Sequence, residues 1–287
     1  MTVSSESGYG VNSMVGRLAR VAVRPPSPRG DYAVAHWAQP LDLDLLARQH
    51  ADFVALLERL GCQVEVLPAE DDMPDAIFTY DPAFVTPGGV IELRGAKEVR
   101  KGEPPLLATQ LVDLGIPLAG RLTAPATSDG GDMFWLDATT LAVGRTYRTN
   151  QAAIDQLTDL LAPMGVRVER FDMPHDLGPE YCLHLMSVVS PVRDDLAVVY
   201  ERLAPVALLQ ALAERGIEMI PVPEEDYLSL GCNILAVAPG VVVLAEGNAA
   251  TAKALRDHGI EVHVYAASEI NKGEGGPTCL TRPLLRV

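Results

Sequence analysis

One imidazole, one thiol and a few carboxylates interrupt the apolar stretches of this 287-residue chain at places where they could do chemistry. Cys279 follows a Gly-Gly-Pro turn signal in EGGPTCLTRPLL and precedes an apolar run, so its sulfur is expected at the mouth of a strand. His184 stands in CLHLMSVVS, Asp129 and Asp132 flank the glycines of SDGGDM, and Asp75 and Asp81 bracket DAIFTYD. A stabilised thiolate is a nucleophile, and an imidazole can give and then take a proton near neutral pH. Carboxylates beside that pair raise the thiol pKa in an empty pocket, which suits a cationic substrate better than a neutral or anionic one. A guanidinium fits the set: carboxylates can bind it in its plane through charge-assisted hydrogen bonds while sulfur approaches the central carbon from the face. Singly, each residue also reads as structure: Cys279 as a small buried residue, His184 as a satisfied core histidine, and Asp129 and Asp132 as turn residues.

Elements far apart in sequence must bring these groups together, and the chain repeats one unit that could. Five segments share an ending: LLERLGCQVEVLP, LVDLGIPLAG, LLAPMGVRVERFDMP, LLQALAERGIEMIPVP and AKALRDHGIEVHVY. Each reads as an amphipathic helix, a glycine stop (Gly61, Gly115, Gly165, Gly216, Gly259) and a short strand, with Val64 and Val66 or Val262 and Val264 on a half-buried face. Apolar pairs joined by a turn follow in DPAFVTPGGVIEL, DMFWLDATTLAVG, LMSVVSPVRDDLAVVY and NILAVAPGVVVLAEG, and predict hairpins. The fifth pair is split between RLARVAVRPP and CLTRPLLRV, so the two ends are expected to pair and close a ring. Units of about fifty residues predict an α/β fold, a closed five-bladed α/β propeller occupying residues 1–287 as one catalytic domain. In such a ring the polar interruptions, Asp75 and Asp81, Asp129 and Asp132, His184, Asn233 beside Cys232, and Cys279, occupy equivalent positions and converge on the axis.

Composition narrows the partners. A formal net charge of −15 removes the basic footprint of nucleic-acid binding. Hydrophobic residues make up 48% of the chain, ample for a core, yet no run of eighteen apolar residues predicts a membrane span. The four cysteines, Cys62, Cys182, Cys232 and Cys279, are too irregularly spaced for a disulfide framework or a metal knuckle, and MTVSSESGYG does not read as a secretory leader. These features predict a cytoplasmic protein without a metal. Neither GxGxxG after the first strand nor GxxxxGK[ST] occurs, so no nucleotide cradle is expected. A homodimer is compatible with the sequence, although no stripe of residues separates an interface from an outer face.

The segment SDGGDMFWLDATTLAVGRTYRTNQAAIDQL, followed by CLHLMSVVS and GGPTCLTRPLL, resembles the guanidine-modifying superfamily, and within it the dimethylarginine dimethylaminohydrolases. The resemblance extends over nearly the whole chain and implies a five-bladed propeller and covalent hydrolysis without metal or organic cofactor. It implies Cys279 as nucleophile, His184 as acid and base, and Asp129 as the carboxylate that orients the histidine. It further implies Asp81 on the guanidinium, Asp75 near the substrate amino group, and Arg100 and Arg148 on the substrate carboxylate, with Asp132 counted among the substrate-facing acids. Two positions depart from the family. Tyr80 stands where mammalian members carry a glutamate on the guanidinium. Met186 stands where arginine deiminases and amidinotransferases carry an aspartate and many dimethylargininases a lysine, so it offers an apolar surface to N-methyl groups.

The expected activity is hydrolysis of Nω-methylated arginine to citrulline and a methylamine through a thiouronium on Cys279. Arginine deiminase and amidinotransferase share that intermediate and differ in leaving group or acceptor. A non-catalytic ligand-binding or ribosome-associated propeller is the reading from another class, and it would leave Cys279, His184 and Asp129 without a shared cavity.

Overall fold

In the computed structural model, which describes residues 8–179, 181 and 183–287, the repeats form five separate three-stranded sheets. Cys182 of the CLHL motif lies outside the described residues. The chain begins with β1 (Leu18–Val23), α1 (Leu43–Arg59) and β2 (Gln63–Val66). Then come β3 (Ala83–Thr86), β4 (Gly89–Glu92), α2 (Glu103–Asp113) and β5 (Leu118–Arg121). The third unit holds β6 (Met133–Asp137), β7 (Thr140–Arg145), α3 (Gln151–Leu161) and β8 (Arg167–Asp172). The fourth holds β9 (Val189–Arg193), β10 (Leu196–Val199), α4 (Val206–Glu214) and β11 (Glu218–Pro221). After the short α5 (Glu224–Leu228) follow β12 (Leu235–Ala238), β13 (Val241–Ala245), α6 (Ala249–Asp257), β14 (Glu261–Tyr265) and finally β15 (Arg282–Arg286).

Within each of four sheets the expected hairpin forms an antiparallel pair, and the strand after the helix joins it in parallel. The fifth sheet has the same pattern assembled from both ends of the chain, with β15 antiparallel to β1 and β1 parallel to β2. The pairing expected of the two terminal strands is therefore present, and the five sheets stay distinct rather than merging into one continuous barrel.

Hairpin strands such as β3 and β10 are buried along their whole length, which explains why they read as continuous apolar runs. The outer strands differ from expectation. Val66 of β2 and Val264 of β14 are exposed, because these strands form the rim of their sheets. All five helix-stop glycines have positive φ, from 70° to 90°, the left-handed conformation that ends a helix without a Cβ penalty. No helix among the described residues is long and apolar enough to cross a membrane.

The core contains one polar residue with a testable cost. His50 of α1 is 3% exposed and its Nε2 meets no hydrogen-bond partner among the described residues. Burial pulls its imidazole from 6.5 down to about 4. Across that window the unfolded chain binds a proton that the folded chain refuses, so stability falls with acidification, by about 3 kcal/mol when the window is fully crossed. His50→Leu is expected to remove this component of the acid slope, measured by urea unfolding at neutral pH and near pH 4.5. An unchanged difference between the two pH values would exclude His50 as its source.

Candidate active site

Tight turns deliver the polar residues to the hairpins. Pro74–Ile77, Gly130–Asp132 and Leu185–Ser187 are single 3₁₀ turns, and Asp129 and His184 occupy the positions just before the last two. His184 therefore precedes a turn rather than standing within a strand, and β9 begins only at Val189. The His184 amide donates to Ser187 Oγ at 3.0 Å, and its Nε2 lies 3.5 Å from Asp129 Oδ2. Packing admits only glycine beneath the ring: a Cβ on Gly131 would lie 2.2 Å from His184 Nδ1, and one on Gly130 would lie 2.0 Å from the Tyr80 carbonyl oxygen. The paired glycines of SDGGDM thus allow two turns to close on each other.

Cys279 is partly buried, three residues before β15. Asn233 Nδ2 donates to its Sγ at 3.0 Å, while Asn233 Oδ1 accepts from the Thr278 amide at 3.0 Å. The second bond fixes which end of the amide faces sulfur. Burial, then the charge of Asp81, push the Cys279 thiol up to about 11, while Asn233 and His184 act in the opposite direction. The strand that follows is anchored by Arg282. Its guanidinium lies 4.1 Å over the Tyr80 ring and donates to the carbonyls of Tyr80, at 3.0 Å, and Ala83. Desolvated cation–π contacts of this kind contribute about 2 kcal/mol. The Tyr80 amide in turn donates to the Cys279 carbonyl at 3.1 Å.

Asp81 clasps the glycine turn through its Oδ1, which accepts from the Gly131 amide at 2.9 Å. Its Oδ2 accepts from Arg100 Nη1 at 2.7 Å. Burial works against its ionisation, but Arg100, His184 and the Gly131 amide together hold it below the usual carboxylate range. A carboxylate has about four acceptor sites, so these two bonds leave room for further donors. Asp75 accepts from Trp37 Nε1 at 2.8 Å and from Lys97 Nζ at 2.7 Å.

Two sequence expectations need correction. Arg100, expected on the substrate carboxylate, does not have its donors free for one. Its side chain is 11% exposed and donates to Asp81, bidentately to Glu103, and to the Asp75 and Phe78 carbonyls. Burial raises Glu103 to about 7 against the pull of Arg100. Asp132, expected among the substrate-facing acids, does not line the cavity that holds Asp75, Asp81 and Asp129. It is fully buried, accepting from the Leu185 amide at 3.0 Å and from Thr146 Oγ1 at 2.7 Å. Burial raises it to about 6, a rise held in check by His184 and its hydrogen-bond donors. Asp132 is a positioning residue: it ties the His184 turn to the loop carrying Arg148. Tyr80 is likewise directed inward, its hydroxyl donating to the Met133 carbonyl at 3.3 Å.

Around the reactive groups lie two cavities. One, of about 110 Å³, is lined by Asp75, Asp81, Lys97, Arg100, Asp129 and Arg148, together with His184 and Cys279. Arg148 lines that cavity too, and its buried Nε meets no hydrogen-bond partner among the described residues. The other cavity, of about 240 Å³, takes in Met186 and Tyr80 and again His184 and Cys279. Cys279, His184 and Asp129 thus share a cavity, as the catalytic reading requires. Sequence reasoning missed Lys97, Trp37 and Glu103, and noted Asn233 only by its equivalent position. The Lys97 and Glu103 signals were present as charges in RGAKEVRKGE, but a charged stretch also describes a solvated loop.

This arrangement can be set beside known proteins. A family model described as arginine deiminase matches residues 204–286. An arginine deiminase of Listeria monocytogenes is 27% identical over 255 residues, 75% of this chain, which spans 62% of the length of that relative. A dimethylarginine dimethylaminohydrolase (DDAH) of Pseudomonas aeruginosa, a cysteine-to-serine mutant complexed with citrulline, shares the fold with a TM-score of 0.77 at 20% identity, covering 93% of this chain and 99% of that one. The N(G),N(G)-dimethylarginine dimethylaminohydrolase of Streptomyces coelicolor is 30% identical over 265 residues, 91% of this chain and 95% of the relative. With near-complete mutual coverage at that identity, the chain belongs to the dimethylarginine dimethylaminohydrolase family of guanidino-group hydrolases, within the arginine deiminase and amidinotransferase superfamily.

Proposed function

We propose that this protein hydrolyses Nω-methylated arginine to citrulline and a methylamine through a covalent thiouronium on Cys279. The observation that carries the reading is the placement of Cys279 and His184 in one cavity with Asp75, Asp81, Asp129 and Arg148. The substrate carboxylate meets Arg148, whose buried Nε has no partner among the described residues. Its ammonium group meets Asp75, and its guanidinium meets the remaining acceptor sites of Asp81. The bound cation offsets the charge of Asp81 and so favours the Cys279 thiolate.

The Cys279 thiol gives its proton to His184, sulfur attacks the guanidino carbon, and His184, oriented by Asp129, passes that proton to the departing methylamine. With the amine gone, His184 takes a proton from water, hydroxide adds to the thiouronium carbon, and the C–S bond breaks to release the ureido product. Arg100 holds Asp81 and Glu103 in place. In this reading the five sheets surround a common axis as a five-bladed α/β propeller forming one catalytic domain. The packing of β9 on β12, β12 on β1 and β15 on β3 supports that arrangement.

Plain arginine as substrate is the second reading, favoured by the arginine deiminase match over residues 204–286. Against it stands Met186, which supplies no carboxylate for unsubstituted N–H groups. Incubation with dimethylarginine, monomethylarginine and arginine, measuring citrulline and the released amine, separates the two. The expected result is citrulline with dimethylamine or methylamine, and little from arginine. Citrulline from arginine alone would overturn the substrate assignment, and transfer of the amidino group to an added amine would overturn hydrolysis.

A further inference from the structure

The reactive pair sits at a seam. Among the described residues only His184, Cys279 and Glu274 line both cavities; the other walls of the two are distinct and differ in character. On one side are the charged groups that suit an amino-acid head. On the other, Leu183, Met186, Tyr227 and Leu230 line the wall together with the uncharged Ser187, Ser190, Asn233 and Thr278. Leu177, Tyr181 and Leu228 surround its mouth, 66%, 55% and 77% exposed. Apolar side chains gathered in water around one opening mark a surface that meets an apolar ligand. The carboxylates on this side, Asp176 and Glu274, are exposed.

With the head of a substrate in the charged cavity and its guanidino carbon at Cys279, a substituent on the departing nitrogen projects into the apolar cavity. Two methyl groups use little of about 240 Å³. An apolar protein cavity of about 150 Å³ already accepts benzene. We propose that this cavity is a subsite for apolar nitrogen substituents much larger than methyl, so that Nω-butyl and Nω-benzyl arginines are substrates. The inference rests on the functional reading above and extends its substrate class to guanidines bearing a bulky apolar group. The chemistry balances as before: the bond from the guanidino carbon to the substituted nitrogen breaks, His184 supplies a proton to the benzylamine that leaves, and water supplies the oxygen of citrulline.

The test combines steady-state citrulline release from Nω-methyl, Nω-butyl and Nω-benzyl arginine with calorimetric binding of the same compounds and arginine to Cys279→Ser protein. The benzyl compound is expected to retain kcat/KM within tenfold of the methyl compound and to bind Cys279→Ser protein at least tenfold more tightly than arginine. Leu228→Arg, at the exposed rim, is expected to lower kcat/KM for the benzyl compound about tenfold and leave the methyl compound unchanged. Turnover of the methyl compound with neither turnover nor binding of the benzyl compound overturns the subsite and spares the function. Tight benzyl binding without turnover of any compound retains the subsite and overturns the function. Equal losses for both substrates in Leu228→Arg, or none for either, overturn the placement.

Discussion

Replacing Cys279 by serine is expected to abolish citrulline release, lowering kcat by at least about 10⁴-fold, while the protein melts within a few degrees of the parent. Loss of a nucleophile that works as part of a unit costs about as much as losing the whole unit. A serine hydroxyl is far harder to ionise than a thiol and is the weaker nucleophile. The fold should tolerate the change, because the side chain is small and partly buried and Asn233 can still donate to an oxygen. A pH signature accompanies the loss. In the substrate-free protein the thiol lies near about 11, so alkylation of Cys279 by neutral iodoacetamide, followed by peptide mapping, should keep accelerating well above pH 9. A plateau near pH 7 would show that the empty site already holds a thiolate, and undiminished turnover in the serine variant would remove Cys279 from the mechanism.

Gly131→Ala is expected to be nearly as damaging, although the residue has no side chain to contribute. The added carbon would lie 2.2 Å from His184 Nδ1 and 2.8 Å from its Cγ. The backbone cannot easily retreat, because the Gly131 amide is held by Asp81 Oδ1 at 2.9 Å and the preceding amide by the Asp81 carbonyl at 2.9 Å. The imidazole must therefore move. A displacement of about 1 Å at a reacting group costs on the order of 100-fold, so kcat should fall by at least that factor with a much smaller change in KM. Steady-state kinetics beside a thermal melt provide the check; kcat within tenfold of the parent would mean that the ring position is not critical.

Repetition was the most legible property of the chain. Each helix stop at Gly61, Gly115, Gly165, Gly216 and Gly259 is a local signal, since a left-handed residue after an amphipathic run needs no distant partner to be recognised. The hairpins were legible for the same reason, and the pairing of β1 with β15 followed from counting an unpaired strand at each end. The site was legible only in outline. Asp129 and Asp132 sit in one six-residue stretch, and only the 3₁₀ turn between them sends one toward His184 and the other toward Leu185 and Thr146. The engagement of Arg100 by Asp81, 19 residues away, was not legible, because RGAKEVRKGE reads equally as a solvated charged stretch. The partners Lys97 for Asp75 and Asn233 for Cys279 lie 22 and 46 residues away, beyond any local pattern.

The seam between β1 and β15 also sets an order on biosynthesis. During translation His184 and the carboxylates emerge well before Cys279, and the strand that follows Cys279 can pair with β1 only after β15 has left the ribosome. Under the proposed mechanism, a polypeptide stalled before residue 279 carries the acid and base without the attacking atom, and arginine derivatives in the surrounding solution are safe from unfinished copies.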